Sequence, residues 1–387
     1  MDPETKSFFS TFTDSLTENA LAGQKESVVN AMCYDRGLSA IYLEESSRVA
    51  QIEYISHTGL ISKLCGGDPF RSPDEALAKT YEKLDTDMIF WTKQSYDAYD
   101  RAEQKGETFS VRSDSWSDLF PTRWRVTFPV SSVEDVLNYD PEEEMELNDR
   151  DLGGLVEYFN NEHKRTQDLF RTQLVPGGHY CTTFMWPVMT FGLEWTLKAM
   201  YYDPKRFERL LGRFAQISLR DFKAWAQCDI KAFISHDDIC MTEGPMISPG
   251  WLRQHVFPWY KKLWQELKSK GVKVLFCSDG NITPIVDDLV EAGADGLIME
   301  PSCDLKLITE KYGDDKVLMG NVDLKVLTFG DEEEISREVM RCLRTSGHCP
   351  GYFINVTGSI PDNVPLRNLK SYFETFRKYG RRPLIRL

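Results

Sequence analysis

Strand-like and helix-like segments alternate regularly in the second half of the chain. Short apolar runs, typical of buried strands, are each followed by an amphipathic run of helical length, and this occurs five times in succession with short loops. Alternation at this spacing implies parallel strands joined by crossover helices. The chain is therefore predicted to form either an open doubly wound sheet or a closed barrel. The predicted strands are Ile230–Ser235, Val272–Phe276, Gly296–Met299, Val317–Met319 and Tyr352–Asn355.

The closed barrel explains the sequence better than the open sheet. No glycine-rich phosphate-binding loop follows any of these strands, which weakens a dinucleotide-binding sheet. A barrel of about 250 to 300 residues, preceded by a mainly helical segment over residues 1–110, accounts for the length of 387 residues. We predict an α/β fold, a (β/α)8 TIM barrel with an N-terminal helical extension, as a single domain over residues 1–387.

Helix ends are marked by proline, glycine and capping residues. Ser248 and Pro249 are typical of an N-cap and a first helical position, and Gly271 is typical of a helix end. An acidic, aromatic-rich segment that includes Trp116, Trp124 and the run 142–144 is predicted to form loops and short elements, with the acids solvated. The predicted helices are 160–174, Leu193–Tyr202, Lys205–Ala226, 249–270, Pro284–Ala292, Lys306–Tyr312, Glu332–Thr345 and Leu366–Tyr379.

Charge and cysteine usage exclude several classes of function. The net charge of -14 disfavours nucleic acid and anionic membrane surfaces as partners. No apolar run approaches the roughly 18 residues of a spanning helix, and the N-terminus has no secretory pattern. The nine cysteines are scattered and do not form a disulfide framework. A reducing cytoplasm is the expected location.

Polar side chains follow all five of these strands, where a TIM barrel places its chemistry. Five strands that deliver polar groups to one end favour a functional site, because a purely structural barrel does not need them. Each residue also has a structural interpretation, such as a packed thiol, a loop-capping acid or a turn aspartate. The strand-end residues are His236, Asp237, Asp238, Cys277, Asp279, Glu300, Asn321, Asp323, Asn355 and Thr357.

Three of these residues form a plausible zinc site. Imidazole, thiolate and carboxylate are all zinc ligands, and a catalytic zinc keeps one position open. His236, Cys277 and Glu300 supply such a set, with Cys303 as an alternative sulfur donor. The spacing alone is unspecific, because no Cys-x-x-Cys or His-x-Cys pair is present.

A second feature is the aromatic and methionine-rich segment 181–192. Phe184, Trp186 and Met189 are interpreted either as core packing or as the wall of a pocket for a flat, apolar substrate. His179 and Tyr202 lie nearby in sequence and are candidates for hydrogen bonds to such a substrate.

Four blocks of sequence resemble the uroporphyrinogen decarboxylase superfamily. The blocks are 236–263, 276–301, 311–323 and 355–369, and the likeness extends over most of the chain from about residue 25. The resemblance implies a (β/α)8 barrel. The superfamily contains decarboxylases of tetrapyrrole synthesis and also methyltransferases that work with corrinoid proteins.

Departures from the decarboxylase pattern argue against that activity. The decarboxylases carry an arginine-rich segment for substrate carboxylates, and the matching stretch 33–37 has one arginine, Arg36. The resemblance implies a strand over Met88–Trp91, and Thr92 stands after it where the decarboxylases have an aspartate. Gly358 corresponds to a late histidine. A substrate with several carboxylates needs cationic partners. Decarboxylation of uroporphyrinogen is therefore disfavoured.

The thiol-methylating branch of the superfamily carries His-x-Cys and a late cysteine. Here Leu275 precedes Cys277 at the position of that histidine, and no cysteine lies near Ser359. Uncharacterised relatives have His-Ser-Asp-Gly where this chain has Cys277 to Gly280. A cysteine at this position keeps a residue able to bind zinc.

The leading hypothesis is methyl transfer from a small, methoxyaromatic substrate to the cobalt of a separate corrinoid (cobalamin) protein, in anaerobic O-demethylation. Cys277 and Glu300 are assigned to zinc, completed by His236 or Asp238. The other catalytic candidates, which act on substrate or ligands, are Asp279, Asp238, Asn321 and Asp323. The alternatives are a decarboxylase or lyase that acts on a smaller carboxylated substrate, and a non-catalytic binding protein.

Overall fold

Eight parallel strands form one sheet in which neighbours along the chain are also neighbours in space. The strands are β1 (Ala50–Glu53), β2 (Met88–Ile89), β3 (Gly177–Tyr180), β4 (Ala232–His236), β5 (Lys273–Cys277), β6 (Gly296–Ile298), β7 (Val317–Met319) and β8 (Tyr352–Ile354). The computed structural model describes residues 26–93, 111–114, 117–120, 122–125, 128, 130–144, 151–356 and 358–384.

The two edge strands of this sheet, β2 and β3, meet and close it. A parallel bridge joins Met88 to Leu174, just before β3. The Leu174 amide donates to the Asp87 carbonyl at 2.9 Å, and the Lys93 amide donates to the Gly178 carbonyl at 2.9 Å. The predicted α/β fold, a (β/α)8 barrel, is therefore confirmed.

Helices surround the barrel, and several predicted boundaries agree closely with the observed ones. Leu193–Tyr202 and Leu366–Tyr379 have the predicted bounds. The remaining helices are Glu26–Ile41, Thr58–Leu64, Pro73–Leu84, Val133–Leu137, Pro141–Glu144, Leu152–Leu169, Met185–Phe191, Pro204–Trp225, Pro249–His255, Phe257–Lys268, Val286–Ala292, Leu305–Tyr312, Leu324–Phe329 and Glu332–Ser346. In the described chain, no helix combines the length and the apolar character that crossing a bilayer requires.

The single helix predicted over 249–270 is wrong, because the chain forms two helices that meet at Val256. Pro258 lies in the first turn of the second helix. Proline has no amide hydrogen, so it interrupts a continuous helix but fits a first turn, where that hydrogen has no partner.

The predicted helical extension also contains two barrel strands. Helices do dominate the described part of residues 1–110, but β1 and β2 lie among them. Both strands are short and buried on both faces, so they show no alternating pattern in the sequence. The barrel therefore begins at residue 50. Residues 1–25 and 94–110, Trp116 and the strand-end candidate Thr357 lie outside the described residues. Trp124 belongs to an antiparallel hairpin of Val111–Asp114 with Thr122–Arg125.

Alternate residues of each barrel strand face inward or outward. Phe233 and Phe276 face outward into a large core between sheet and helices, and Phe233 lies 4.8 Å from the ring of Phe222. Each such buried side chain stabilises the fold by roughly 1.5–3 kcal/mol. Inward residues form a separate interior cluster, whose strand members are Ala50, Ile52, Met88, Ala232, Ile234, Leu275, Cys277, Ile298, Val317, Met319 and Phe353.

Candidate active site at the barrel mouth

The carboxyl ends of the strands bring a histidine and two aspartates together. His236, the last residue of β4, continues the inward row of Ala232 and Ile234. Its Nε2 donates to Oδ1 of Asp238 at 2.9 Å, and the same oxygen accepts the amide of Asp279 at 2.8 Å. One donor atom from each of His236, Asp238 and Asp279 lies within 4.8 Å of the others. We call these three residues the mouth cluster.

The loop that carries Asp279 is fixed by a close backbone approach. Gly280 has a φ of +80°, and a Cβ there would lie 2.5 Å from the Met241 carbonyl oxygen. Only glycine fits this position without moving the hairpin Cys240–Met241 and Gly244–Pro245. The Asn281 amide donates to the same Met241 carbonyl at 2.8 Å. Asp279 is therefore held beside Asp238 by the two residues that follow it.

The mouth cluster concentrates negative charge. Burial, together with the charges of Asp238 and Glu300, raises the pKa of Asp279 to about 6. Burial opposes a charge on His236, but Cys277 and Asp238 together raise its pKa well above the usual value. Burial also favours the neutral form of Asp238, yet His236 and the hydrogen bonds to its carboxylate lower its pKa. The cluster thus favours a positive charge at its centre.

Cys277 and Glu300 lie beside this cluster and do not complete it as predicted. The strand register pairs His236 with Cys277, and burial raises the pKa of the Cys277 thiol. The Glu300 carboxylate accepts the Gly280 amide at 2.8 Å, which is the structural interpretation of this residue. Among the described residues, the group within 4.8 Å contains neither of them. Of the predicted ligands, His236 and its alternative Asp238 belong to the group that the fold assembles, whereas Cys277 and Glu300 do not.

Asp237 faces away from the mouth. Its carboxylate accepts the backbone amides of Thr183, Phe184 and Met185 at 2.7–3.0 Å and the Tyr260 hydroxyl at 2.7 Å. The residue is fully buried, and burial raises its pKa to about 6 against these hydrogen bonds. Asp237 therefore anchors the segment that follows β3.

Asn321 and Asp323 are not placed for catalysis. Asn321 is fully buried, where its amide group donates to the Glu300 carbonyl at 3.1 Å and accepts from Arg341 at 2.9 Å. Asp323 caps the helix Leu324–Phe329 by accepting the Lys325 amide at 2.8 Å. The chain turns outward after β7, so the predicted catalytic roles of both residues are replaced by structural ones.

The predicted apolar wall lies in the outer core instead of the mouth. Trp186 donates its Nε1 hydrogen to Ser218 at 2.8 Å, and His179 contacts Asp221 at 3.2 Å, both on the helix Pro204–Trp225. Phe184 is fully buried in the core between sheet and helices. Met189 packs against the outer core, and Tyr202 is 66 % exposed at a helix end. The segment 181–192 is core packing.

A different set of rings lines the mouth. Tyr54 stacks on Phe90 with 5.4 Å between centroids, and Phe90 meets His236 edge-on at 5.9 Å. Tyr180 also meets His236 edge-on, at 4.6 Å, and its hydroxyl hydrogen-bonds to Asp238. We call Tyr54, Phe90 and Tyr180 the aromatic panel. Tyr54 and Phe90 lie two residues beyond the inward-facing Ile52 and Met88. This spacing could have indicated the two rings, but residues 1–110 were interpreted as mainly helical.

The mouth is rich in acids and poor in cations. Outside the hairpin segment 111–125, which carries Arg112, Arg123 and Arg125 as well as Asp114 and Asp118, Lys93 is the one lysine or arginine in the described residues of the loops after the eight strands, and its ammonium lies 3.8 Å from Glu162. The acids in these loops are Asp237, Asp238, Glu243, Asp279, Glu300, Asp304, Asp323 and Asp362. The single arginine of the segment 33–37, Arg36, is bound to Asp85 and Asp87 at 2.8–2.9 Å, before the start of β2 at the opposite end of the barrel.

A comparison with protein families places the chain. A family model described as "Uroporphyrinogen decarboxylase (URO-D)" matches residues 177–379, just over half of the chain. The chain belongs to this family, as the four sequence blocks predicted. The match begins at β3 and ends with the last helix, so it covers the mouth cluster.

Individual relatives agree with this family. Uroporphyrinogen decarboxylase of Pseudomonas putida is 30% identical over 173 residues, 43% of this chain and 47% of that protein. The enzyme of Thermus thermophilus is 26% identical over 179 residues, 46% of this chain and 50% of that protein. The chain thus matches about half the length of these curated relatives.

A solved structure extends the likeness in fold to nearly the whole chain. A methyltransferase from Methanosarcina mazei superposes with a TM-score of 0.61 at 16% sequence identity, covering 90% of this chain and 99% of that one. At this identity the likeness concerns the fold, which includes the barrel strands β1 and β2 outside the family match.

Proposed function

We propose that this protein transfers a methyl group from a small methylated substrate, of the methoxyaromatic class, to the cobalt of a separate corrinoid protein. The observation that carries the proposal is the mouth cluster, which joins one imidazole and two carboxylates beside the Cys277 thiol. The aromatic panel next to it supplies ring surfaces for an aromatic donor.

The same mouth is poorly suited to a substrate with many carboxylates. Such a substrate needs arginine or lysine partners. Lys93 pairs with Glu162, and Arg36 is bound to two aspartates at the other end of the barrel. Repulsion by the acids of the described mouth loops also disfavours such a substrate.

The mouth cluster fits a divalent metal ion. Its two carboxylates and the neighbouring Glu300 crowd negative charge around Asp279, and Nδ1 of His236 is buried without a hydrogen-bond partner among the described residues. His236, Asp238 and Asp279 would hold the ion, with Cys277 beside them. Zinc bound by these residues would supply Lewis acidity toward the ether oxygen of the substrate.

The protein's own residues have defined roles in the transfer. Cobalt(I) of the partner contributes the electron pair of the new bond to carbon, the carbon–oxygen bond breaks, and the oxygen keeps that bonding pair and gains a proton. Asp238 and Asp279 would hold the ion beside that oxygen, which takes its proton from solvent at the open mouth. The aromatic panel orients the ring, and the open mouth admits the partner.

Methylation of cobalamin tests this proposal directly. The purified protein, loaded with zinc, is mixed with cob(I)alamin and methoxyaromatic donors under anaerobic conditions, and the cobalamin spectrum is followed. We expect methylated cobalamin with the wild type and at least about a hundredfold slower reaction with Asp279→Asn. Asp323→Asn, which changes a helix cap, is the matched control and keeps most of the activity. Absence of turnover with every donor contradicts the proposal.

A decarboxylase or lyase is the second candidate. It is favoured by the pairing of an acid of raised pKa, Asp279, with a buried histidine, His236, two groups suited to proton transfer. The measurement is evolution of CO2 from small carboxylic acids. The methyl-transfer account predicts none, and release that depends on Asp279 selects the second candidate.

A further inference from the structure

Asn355 reaches the mouth from the side opposite the mouth cluster. Ile354 and Val356 belong to the core between sheet and helices, whereas Phe353 belongs to the interior cluster. The alternation therefore places Asn355 on the inner side, one step above Phe353. Since β8 is four strands from β4 in the ring of eight, Asn355 lies across the barrel from His236.

The side-chain oxygen of Asn355 accepts no hydrogen bond from the described residues. Nδ2 of Asn355 donates to the Val356 carbonyl at 3.1 Å, but Oδ1 has no hydrogen-bond partner among the described residues. The side chain is buried, with the residue 7 % exposed. A buried acceptor without a donor costs roughly 1–3 kcal/mol, so such atoms are rare unless a ligand uses them.

The space between Asn355 and the mouth cluster is lined by apolar and aromatic side chains. The floor is the interior cluster, with Ile298, Met319 and Phe353 near its upper end. Tyr54 and Phe90 form one wall through their stacked rings. An apolar floor with a ring wall suits a flat molecule that has polar groups at both ends.

The charge of the mouth limits which substrates can bind there. Even a divalent ion at the mouth cluster offsets only the charges of Asp238 and Asp279, and Glu300 stays beside them. In the described mouth loops outside the hairpin segment 111–125, a free carboxylate on the substrate meets no ammonium or guanidinium group other than Lys93, which already pairs with Glu162. Anionic donors are therefore disfavoured by repulsion from these acids.

We infer that the substrate is an uncharged methoxyaromatic molecule that carries a hydroxyl group, and that Oδ1 of Asn355 accepts the hydrogen bond from this hydroxyl. This inference rests on the proposed function for the choice of a methoxyaromatic ring. Asn355 is then a specificity-determining residue, because it distinguishes a phenol from its fully methylated ether.

Equilibrium binding tests the hydroxyl group and the charge of the ligand separately, without any turnover. The full chain is titrated calorimetrically with guaiacol, with veratrole, which replaces the hydroxyl by a second methoxy group, and with ortho-methoxybenzoate. We expect the wild type to bind guaiacol about tenfold more tightly than veratrole and to show no measurable binding of the benzoate.

Variants test the named acceptor. In Asn355→Leu the affinity for guaiacol falls about tenfold, while that for veratrole changes less than about twofold. Asn355→Asp keeps an acceptor and retains guaiacol binding. Asn363→Leu, an exposed asparagine in the same loop, is the matched control and changes neither affinity. Equal losses of affinity for both ligands in Asn355→Leu overturn the inference. Equal affinity of the wild type for guaiacol and veratrole also overturns it, and this measurement needs no variant.

The outcomes also separate this inference from the proposed function. Selective guaiacol binding without methylation of cobalamin by any donor supports Asn355 and contradicts methyl transfer. Methylation from another donor, without guaiacol binding, supports methyl transfer and overturns the inference. Tight binding of ortho-methoxybenzoate overturns the charge argument whatever the variants show.

Discussion

Asp237 and Asp238 are adjacent in the chain but serve opposite sides of the barrel wall. The Asp237 carboxylate accepts three backbone amides and the Tyr260 hydroxyl in the outer core. The Asp238 carboxylate accepts the imidazole of His236 and the amide of Asp279 at the mouth. One aspartate therefore positions the segment after β3, and the other belongs to the candidate site.

Because Asp237 and Asp238 serve different sides of the barrel wall, we expect different results from Asp237→Asn and Asp238→Asn. Asp237→Asn replaces an oxygen by an amide group that faces backbone donors, so we expect a loss of roughly 2–4 kcal/mol in the free energy of unfolding. Asp238→Asn keeps most of the stability and loses metal binding. Urea unfolding and zinc titration of both variants check this. An Asp237→Asn variant that keeps its stability but loses zinc binding contradicts a structural role for Asp237.

Glu53 makes the stability depend on pH. It is fully buried at the end of β1, where its carboxyl group contacts the Tyr372 hydroxyl at 2.5 Å and Gln51 at 2.9 Å. Burial raises its pKa to about 8 in spite of these bonds. The folded protein therefore holds a proton that the unfolded chain releases near pH 4.5, and stability falls as pH rises from about 4.5 to 8.

Glu53→Gln is expected to remove this decline. One pKa unit corresponds to about 1.4 kcal/mol, so the wild-type decline is at most about 5 kcal/mol. The measurement is urea unfolding of both proteins across this pH range. The account of Glu53 is wrong if the difference in stability between the two proteins is constant with pH.

Arg36 is predicted to support the fold without contacting substrate. Its guanidinium is buried against Asp85 and Asp87, which Arg48 also contacts. Arg36→Met leaves these acids short of one partner, with an expected loss of roughly 3–5 kcal/mol in unfolding free energy. The affinity of the folded variant for guaiacol stays unchanged. A selective loss of ligand affinity contradicts a purely structural Arg36.

The aromatic panel is predicted to contribute to ligand affinity. Phe90→Leu removes a ring that stacks on Tyr54, and we expect guaiacol to bind about five- to tenfold more weakly. Phe184→Leu, the control in the outer core, lowers stability and leaves the affinity of the folded protein unchanged. Calorimetric titration checks both variants. An affinity loss confined to Phe184→Leu restores the wall first predicted from segment 181–192.

The sequence predicts the fold well because the fold depends on local patterns. Repeated strand and helix periods, and caps such as Ser248, act over a few residues, so most helices of the second half were predicted within two residues. β1 was missed because a short strand buried on both faces shows no alternation, and β2 was placed only by the resemblance to the decarboxylases. The break before Pro258 was missed since apolar periodicity continues across it.

The candidate site is harder to predict because it depends on side-chain direction and on distances between strands. The sequence predicts strand-end polar residues at His236, Asp238 and Asp279, and the structure brings these three side chains together. Asn321 and Asp323 follow a strand in the same way, yet the chain turns them outward. The sequence places a residue at a strand end but does not fix the turn that aims it.

Zinc content is the most direct test of the candidate site. The protein is saturated with zinc, dialysed and analysed for metal, alongside His236→Ala, Asp279→Asn and Glu300→Gln. We predict about one zinc ion per chain in the wild type and in Glu300→Gln, and almost none in the other two variants. A wild type that retains no zinc, or a His236→Ala variant that retains all of it, contradicts a metal site at the mouth cluster.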